Sequence, residues 1–224
     1  MSTSMSAPAS PRAVPYKIAV LVYIFNDAGE LLLLHRKRPP NRDLYSPVGG
    51  KLEQGIGESP YACALREVEE EVEIVLTLDE IRLVGIVSER AFGGGSGAIT
   101  PSPGVVGAGE IAPAPLDLPA AHWLMFCFEV TRAVNFPPRQ IEEGRLEWFS
   151  PAALDQLSIP KTDRDVIWPL VQRHSWMLAK AAGKHVRAAD IFSVHIDCTD
   201  AEHFVVTQEH PRTPASAPVK NGGN

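Results

Sequence analysis

The sequence predicts an α/β (or α+β) fold, a mixed β-sheet layered between helices as an α/β/α sandwich. Two β-rich runs flank a turn-forming Asn26-Asp27-Ala28-Gly29. A capped amphipathic helix follows them, and further strand and helix patterns then alternate irregularly. Hairpins within such an irregular order require a sheet with both parallel and antiparallel neighbours. A chain of 224 residues is long enough for one substantial core.

Residues 1–15 are rich in Ser, Ala and Pro with little to bury and read as a disordered tail, as do residues 211–224. A single domain is expected across 16–210. In residues 17–25 the β-formers Ile18, Val20, Val22 and Ile24 alternate, and residues 30–36 resume as a second strand beyond the turn, which predicts a hairpin. A loop with Pro39-Pro40 and Asn41 leads to Pro47-Val48-Gly49-Gly50-Lys51-Leu52-Glu53. Ser59 then caps a helix that opens on Pro60, where the missing N–H removes no helical bond. Tyr61, Leu65, Val68 and Val72 recur at helical spacing and predict one apolar stripe. Residues 81–88 and 122–130 read as strands. Between them, 93–121 is a Gly/Pro-rich insert, expected to be mobile or disordered because so long a structureless connection is unusual inside a packed domain. Residues 145–149 make a short strand. Thr162 caps a helix reaching Lys180, with Gly183 as its stop and a kink or division expected at Pro169. Residues 191–196 and 203–207 predict a closing hairpin, so 160–210 supply a C-terminal helix and hairpin.

A formal net charge of -6 argues against a grip on nucleic-acid polymers, which needs a broad basic face. It leaves room for a small anionic substrate met by a local cluster of cations. His35-Arg36-Lys37-Arg38 is such a cluster, although a solvated strand end would look the same. Cys63, Cys127 and Cys198 are odd in number and widely spaced, which reads as buried free thiols in a reducing cytoplasm. No apolar run is long enough to span a bilayer, and no secretory signal is present, so a cytoplasmic protein without a membrane partner is expected. There is no GxSxG elbow, and Gly93-Gly94-Gly95 lacks the Lys-Ser/Thr of a Walker A loop. Trp148 and Phe149 could stack on a base, but core packing is the expected role.

The chemistry concentrates in Arg66-Glu67-Val68-Glu69-Glu70-Glu71. Glu67, Glu70 and Glu71 are three and four positions apart, so they share one helix face, roughly opposite the apolar stripe. Crowded carboxylates repel one another, and a hard divalent cation such as Mg²⁺ or Mn²⁺ relieves that repulsion. A merely solvated acidic face has the same composition.

The order Gly50, Glu58, Arg66-Glu67-Val68-Glu69-Glu70-Glu71-Val72 resembles the Nudix box, in which a glycine and a glutamate precede Arg-Glu, an aliphatic residue and a Glu-Glu pair. From Glu58 onward the spacing matches. Two departures stand out: residues 54–57 carry two residues more than the usual loop, and Glu73 stands where the family has glycine. The likeness extends over about residues 17–150 and is similar to the MutT-like and MutX-like 8-oxo-dGTP diphosphatases. It implies a Nudix-like sandwich and Mg²⁺-dependent (or Mn²⁺-dependent) hydrolysis of a nucleoside triphosphate to the monophosphate and pyrophosphate. It further implies that Glu67, Glu70, Glu71 and the Gly49 carbonyl bind metal, with Gly50 shaping the turn beside the substrate. Glu58 and Arg66 would hold the loop against the helix, and Arg36 and Lys51 would contact phosphate. Glu143 would be an additional carboxylate, with Glu142 and Glu147 as close competitors. Glu67, Glu71 and Glu143 are all candidates for the general base. Another nucleoside diphosphate derivative as substrate, or a non-catalytic ligand-binding module, are the alternatives the same residues allow.

Overall fold

The computed structural model describes residues 16–39, 41–92, 121–184, 190–200 and 202–211. The expected tails, apart from Pro211, and the insert as far as residue 120 lie outside the described residues. In chain order the strands are β1 (Tyr16–Tyr23), β2 (Leu31–Arg36), β3 (Tyr45–Ser46), β4 (Ile81–Phe92), β5 (Ala121–Val130), β6 (Arg139–Gln140), β7 (Gly144–Phe149), β8 (Phe192–Asp197) and β9 (Val205–His210). The helices are α1 (Pro60–Val72), α2 (Trp168–His174) and α3 (Trp176–Ala181). One five-stranded sheet has the order β1-β5-β4-β8-β9, and a second has the order β3-β2-β7-β6. The first is mixed: β1 runs parallel to β5 and β4 to β8, while β5–β4 and β8–β9 are antiparallel. The second is antiparallel throughout.

β1 alternates between two cores, which is why it is apolar on both faces. Val20, Val22 and Ile24 join Cys63, Ala64, Val68 and Val72 of α1 on one side. Ala19, Tyr23 and Phe25 join Ile167, Trp168 and Val171 of the C-terminal helical region on the other. Helices therefore cover both faces, giving the expected α/β/α layering. Burying Val68 and Val72, each 1% exposed, contributes roughly 1.5–3 kcal/mol per side chain.

Several elements differ from expectation for identifiable reasons. The Asn26–Gly29 turn forms, with Phe25 paired to Leu31, but the two flanking strands then part into different sheets. Segment 48–52 takes the edge of β1 that a hairpin partner would have used: Val22 N–H donates to the Val48 carbonyl at 2.7 Å and Val20 N–H to that of Gly50 at 2.8 Å. β4 continues past Ser88 to Phe92 because β5 and β8 pair with it along that extension. The C-terminal helical run changes from a π-helical turn over Asp163–Ile167 to α2 beside Pro169, without leaving helical geometry, and it breaks fully at Ser175. The closing hairpin is present as β8–β9 and extends the mixed sheet from β4. All three cysteines are buried and free, as expected. Trp148 packs on Phe136 and donates its ring N–H to the Phe136 carbonyl at 2.8 Å, a core role.

The break at Ser175 is fixed by Glu129 on β5, which is 0% exposed. Its carboxylate accepts from Ser175 Oγ–H, from Trp176 N–H at 2.9 Å, from Met177 N–H at 3.2 Å and from Arg82 Nη1 at 3.1 Å. An anion thus caps the start of α3 and neutralises a nearly buried arginine. Glu129→Ala leaves Arg82 without its carboxylate partner and the Trp176 and Met177 N–H groups without their acceptor; the expected loss is about 3–5 kcal/mol of unfolding free energy, measured by urea denaturation. Glu129→Gln, which keeps an acceptor, should lose less in the same measurement.

Candidate active site

The site begins with a close approach between backbone and helix. Gly49 has φ +145°, a conformation side chains rarely adopt, and a Cβ there would run into the Val20 carbonyl. A Cβ on Gly50 would overlap the Glu67 carboxylate. The two glycines therefore let the 48–51 turn lie against both β1 and α1. Ser59 caps α1 by accepting from Ala62 N–H at 3.1 Å, and Pro60 follows it, as the sequence predicts.

The buried face of α1 is rotated from the expected one. Tyr61 is 38% exposed and Leu65 only half-buried, whereas Cys63, Ala64, Val68 and Val72 are buried, and Glu71 lies among them at 5% exposure. The carboxylates thus border the packed face instead of standing opposite it, because the side-chain-free glycine turn leaves room for them there. Gly49 N–H donates to Glu71 Oε2 at 3.2 Å. Burial pushes the Glu71 carboxyl up to about 7 against that hydrogen bond, and burial also raises Glu67.

Arg66 ties the loop to the helix. Its Nε and Nη2 hold Glu58 at 2.8 and 3.0 Å, and Nη1 reaches Glu67 and Glu70, each at 2.9 Å. Nη2 also donates to the Lys51 carbonyl at 3.3 Å. The forked bond to Arg66 holds the Glu58 carboxyl down at about 2. Glu58 Oε2 also accepts from Glu53 N–H at 2.8 Å. The two additional loop residues are absorbed in an exposed 3-10 turn, Gln54–Ile56, closed by Gly57 at φ +67°. Glu73 keeps the left-handed conformation that suits glycine, with φ +54°, and its carboxylate meets Arg139 at 2.8 Å.

One cavity of about 370 Å³ gathers most of the sequence-derived residues. Arg36, Gly49, Gly50, Lys51, Glu67, Glu70, Glu71 and Glu143 all line it, while Glu58 and Arg66 stand behind. Among the three competing acids, Glu142 pairs with Arg38 at 2.8 Å and Glu147 accepts from the Tyr45 hydroxyl at 3.1 Å; Glu143 is the one on the cavity wall. The Glu143 carbonyl accepts from Lys37 N–H at 2.9 Å, which fixes it beside Arg36 across the β2–β7 pair.

The same cavity is lined by residues the sequence reading missed, chiefly Glu89, Thr162, Asp163, Trp123, Met125 and Phe92. Glu89 is 3% exposed and its Oε1 has no hydrogen-bond partner. Burial, and then the charge of Asp163, push its carboxyl up to about 8; burial pushes Asp163 up to about 7. One signal was available: Glu89 follows Val87 at strand spacing, which turns it to the same buried face.

Glu67, Glu70 and Glu71 fit a divalent cation by donor chemistry, since hard carboxylate oxygens suit Mg²⁺ and Mn²⁺. Burial at Glu71 points the same way, because a cation beside it would offset the lost hydration of its carboxylate. Among the described residues no three acidic, imidazole or thiol groups already stand at coordinating spacing, and Arg66 holds Glu67 and Glu70.

Comparison with known proteins agrees with this fold. The NUDIX domain model matches residues 15–168. The mutator MutT protein of Bacillus halodurans superposes with a TM-score of 0.54 at 20% identity, over 88% of this chain and 99% of that one. MutT from Methanosarcina mazei Go1 gives 0.51 at 21% identity, over 73% and 98%. At such identities the likeness establishes the fold. The chain belongs to the Nudix family and is a Nudix hydrolase with the fold of the MutT proteins. The matched region ends at the start of α2, so β8 and β9 lie beyond it. Among the described residues no helix is long and apolar enough to cross a membrane.

Two outcomes follow from the geometry. Gly50→Ala should displace Glu67 and lower hydrolytic turnover on the order of 100-fold, with the melting temperature little changed; steady-state kinetics beside calorimetry reads both. Glu89→Gln should be more stable than the parent at pH 8–9 and nearly equal to it near pH 5. A carboxyl raised from 4.5 to about 8 in the fold contributes stability below 4.5 that is lost as pH rises through 8. Melting temperatures of both proteins across that range test it; a difference independent of pH would refute it.

Proposed function

We propose that this Nudix hydrolase cleaves a nucleoside triphosphate, such as 8-oxo-dGTP, to the nucleoside monophosphate and pyrophosphate, using Mg²⁺ or Mn²⁺. The observation that carries the reading is the single cavity in which Glu67, Glu70, Glu71 and Glu143 face Arg36 and Lys51. Such a wall suits a polyphosphate that is partly neutralised by cations and partly held by side chains. Glu67, Glu70, Glu71 and the Gly49 carbonyl would hold the metal. When bound, the metal supplies charge neutralisation at the phosphates and acidifies a water molecule.

The protein's own groups do the rest. Arg36 and Lys51 bind phosphate oxygens and orient the chain of phosphates. Gly50 allows the turn to approach them without a side chain in the way. Arg66 and Glu58 fix the pitch of α1 against the loop, so that the carboxylates keep their positions. A carboxylate among Glu67, Glu71 and Glu143 takes the proton of the attacking water, which adds to phosphorus in line with the departing pyrophosphate. One water is consumed and one phosphoanhydride P–O bond is broken.

The test is metal-dependent pyrophosphate release from a panel of 8-oxo-dGTP, dGTP, ADP-ribose and NADH. Glu67→Gln and Glu70→Gln are run alongside. Pyrophosphate from a triphosphate, reduced about 10²–10⁴-fold in Glu67→Gln, is the expected result. Turnover of ADP-ribose or NADH alone would move the substrate class. Nucleotide binding without turnover of any compound would leave a binding module.

A further inference from the structure

The C-terminal end of α1 carries a conflict that a residue far along the chain resolves. Glu73 closes the helix in the left-handed conformation, with φ +54°, and donates its N–H to the Glu69 carbonyl at 3.0 Å. Glycine adopts that conformation without the steric penalty a Cβ brings. The Glu73 carboxylate also stands at the negative end of the helix dipole, which repels an anion, and no basic residue lies in the last turn of α1 to offset it. Both effects work against the turn that holds Glu70 and Glu71.

Arg139 of β6 answers both. Its Nη1 donates to Glu73 Oε2 at 2.8 Å, and its Nη2 donates to the Val72 carbonyl, one of those a helix end leaves without an N–H. One guanidinium thus neutralises the carboxylate and caps the helix. An exposed ion pair contributes little when both side chains are free to move. Here the guanidinium is held in place, over the Phe136 ring at 4.9 Å, and Phe136 packs on Trp148 with ring centroids 5.2 Å apart. Arg139 Nε is buried without a hydrogen-bond partner, so this side chain gives up hydration to sit against the helix end.

We propose that Arg139 is a positioning residue for hydrolysis. It does for α1 what a glycine at position 73 would do, and by clasping the helix end to the β6–β7 pair it sets Glu70 and Glu71 against Glu143. The inference rests on the reading above in taking these carboxylates as the hydrolytic ones. The connection is short on both sides. On the helix, Val72 and Glu73 follow Glu71 directly. On the sheet, Arg139 pairs with Leu146 and Gln140 with Arg145. The Gln140 side-chain amide and the Ile141 N–H both donate to the Gly144 carbonyl, closing the loop that carries Glu143 to the cavity wall.

The experiment compares the full chain with Arg139→Met, Glu73→Gly and the double variant; methionine keeps an apolar stem over Phe136 and removes every donor. Hydrolysis of 8-oxo-dGTP with Mg²⁺ gives kcat and KM, and amide hydrogen exchange follows Glu70 to Glu73. Arg139→Met should lower kcat on the order of tenfold or more and speed exchange in that turn. KM should change little, because Arg36 and Lys51 hold phosphate from other elements. Glu73→Gly removes the conflict at its source, so the double variant should recover kcat to within about threefold of the parent and slow the exchange again. Melting temperatures show that each variant is folded. Parent-like kcat and exchange in Arg139→Met, or losses that Glu73→Gly does not repair, would overturn the proposal. If the parent chain hydrolyses nothing, the reading of its function falls, and exchange alone decides the clasp: fast in Arg139→Met and slow in the double variant sustains it, and any other pattern refutes it.

Discussion

The placement of α1 depends on one contact, the close approach of a glycine turn to a helix that carries three acids. Gly49 and Gly50 let backbone lie where a Cβ would strike Val20 and Glu67. That approach pairs segment 48–52 with β1, draws Glu71 into the packed face and leaves Glu67 and Glu70 within reach of Arg66. Arg66 then locks the arrangement through its forked hydrogen bonds to Glu58. Because Glu58 sits at the end of the loop and Arg66 in the helix, this pair tolerates two additional loop residues, which bulge outward as a 3-10 turn and leave the pair intact.

Charge in this molecule is spent locally. The chain is acidic in sum, yet the cavity brings arginine, lysine and six carboxyl groups to one place, and burial acts on them unequally. Behind the cavity, Glu58, with a guanidinium on both oxygens, stays ionised. Glu71, with one backbone N–H for support, and Glu89, with its Oε1 unpartnered, are pushed upward. The contrast follows from what each carboxyl faces, because desolvation raises a carboxyl pKa while an adjacent cation lowers it. Glu129 shows a third use of a buried acid: with Arg82 and three donors at a helix start, it is wholly structural.

The cavity is built from both ends of the fold. Its α1 end comes from residues close together in sequence, Gly49 to Glu71, and from the β2–β7 pair that sets Arg36 opposite Gly144, next to Glu143. Its other end comes from β4, β5 and the turn before α2, elements joined only by the mixed sheet and the core beneath the C-terminal helical region. The family match covers β4, β5 and the turn over Asp163–Ile167, but the motif itself says nothing about them.

Local spacing was enough to read α1, its Ser59 cap and Pro60 start, the glycine turn, the chief strands and the set Glu67, Glu70 and Glu71, because caps, turns and carboxylate spacing are properties of neighbours in the chain. It also brought Arg36, Lys51 and Glu143 into consideration through their resemblance to a known arrangement. What it could not supply was partnership. The face of α1 that is buried was set by the room the glycine turn leaves, so Tyr61 stayed partly exposed at the edge of Phe128 and Glu71 went in. The apparent hairpin of β1 and β2 parted because segment 48–52 claimed the open edge. Glu143 was separated from Glu142 and Glu147 only by which of them found partners elsewhere. Glu89 and Asp163, far apart in the sequence, became one constellation only when β4 and the turn before α2 met over β5. Hydrogen bonding and burial are decided by the groups a residue faces across the fold, and periodicity along the chain names the face without naming what lies opposite.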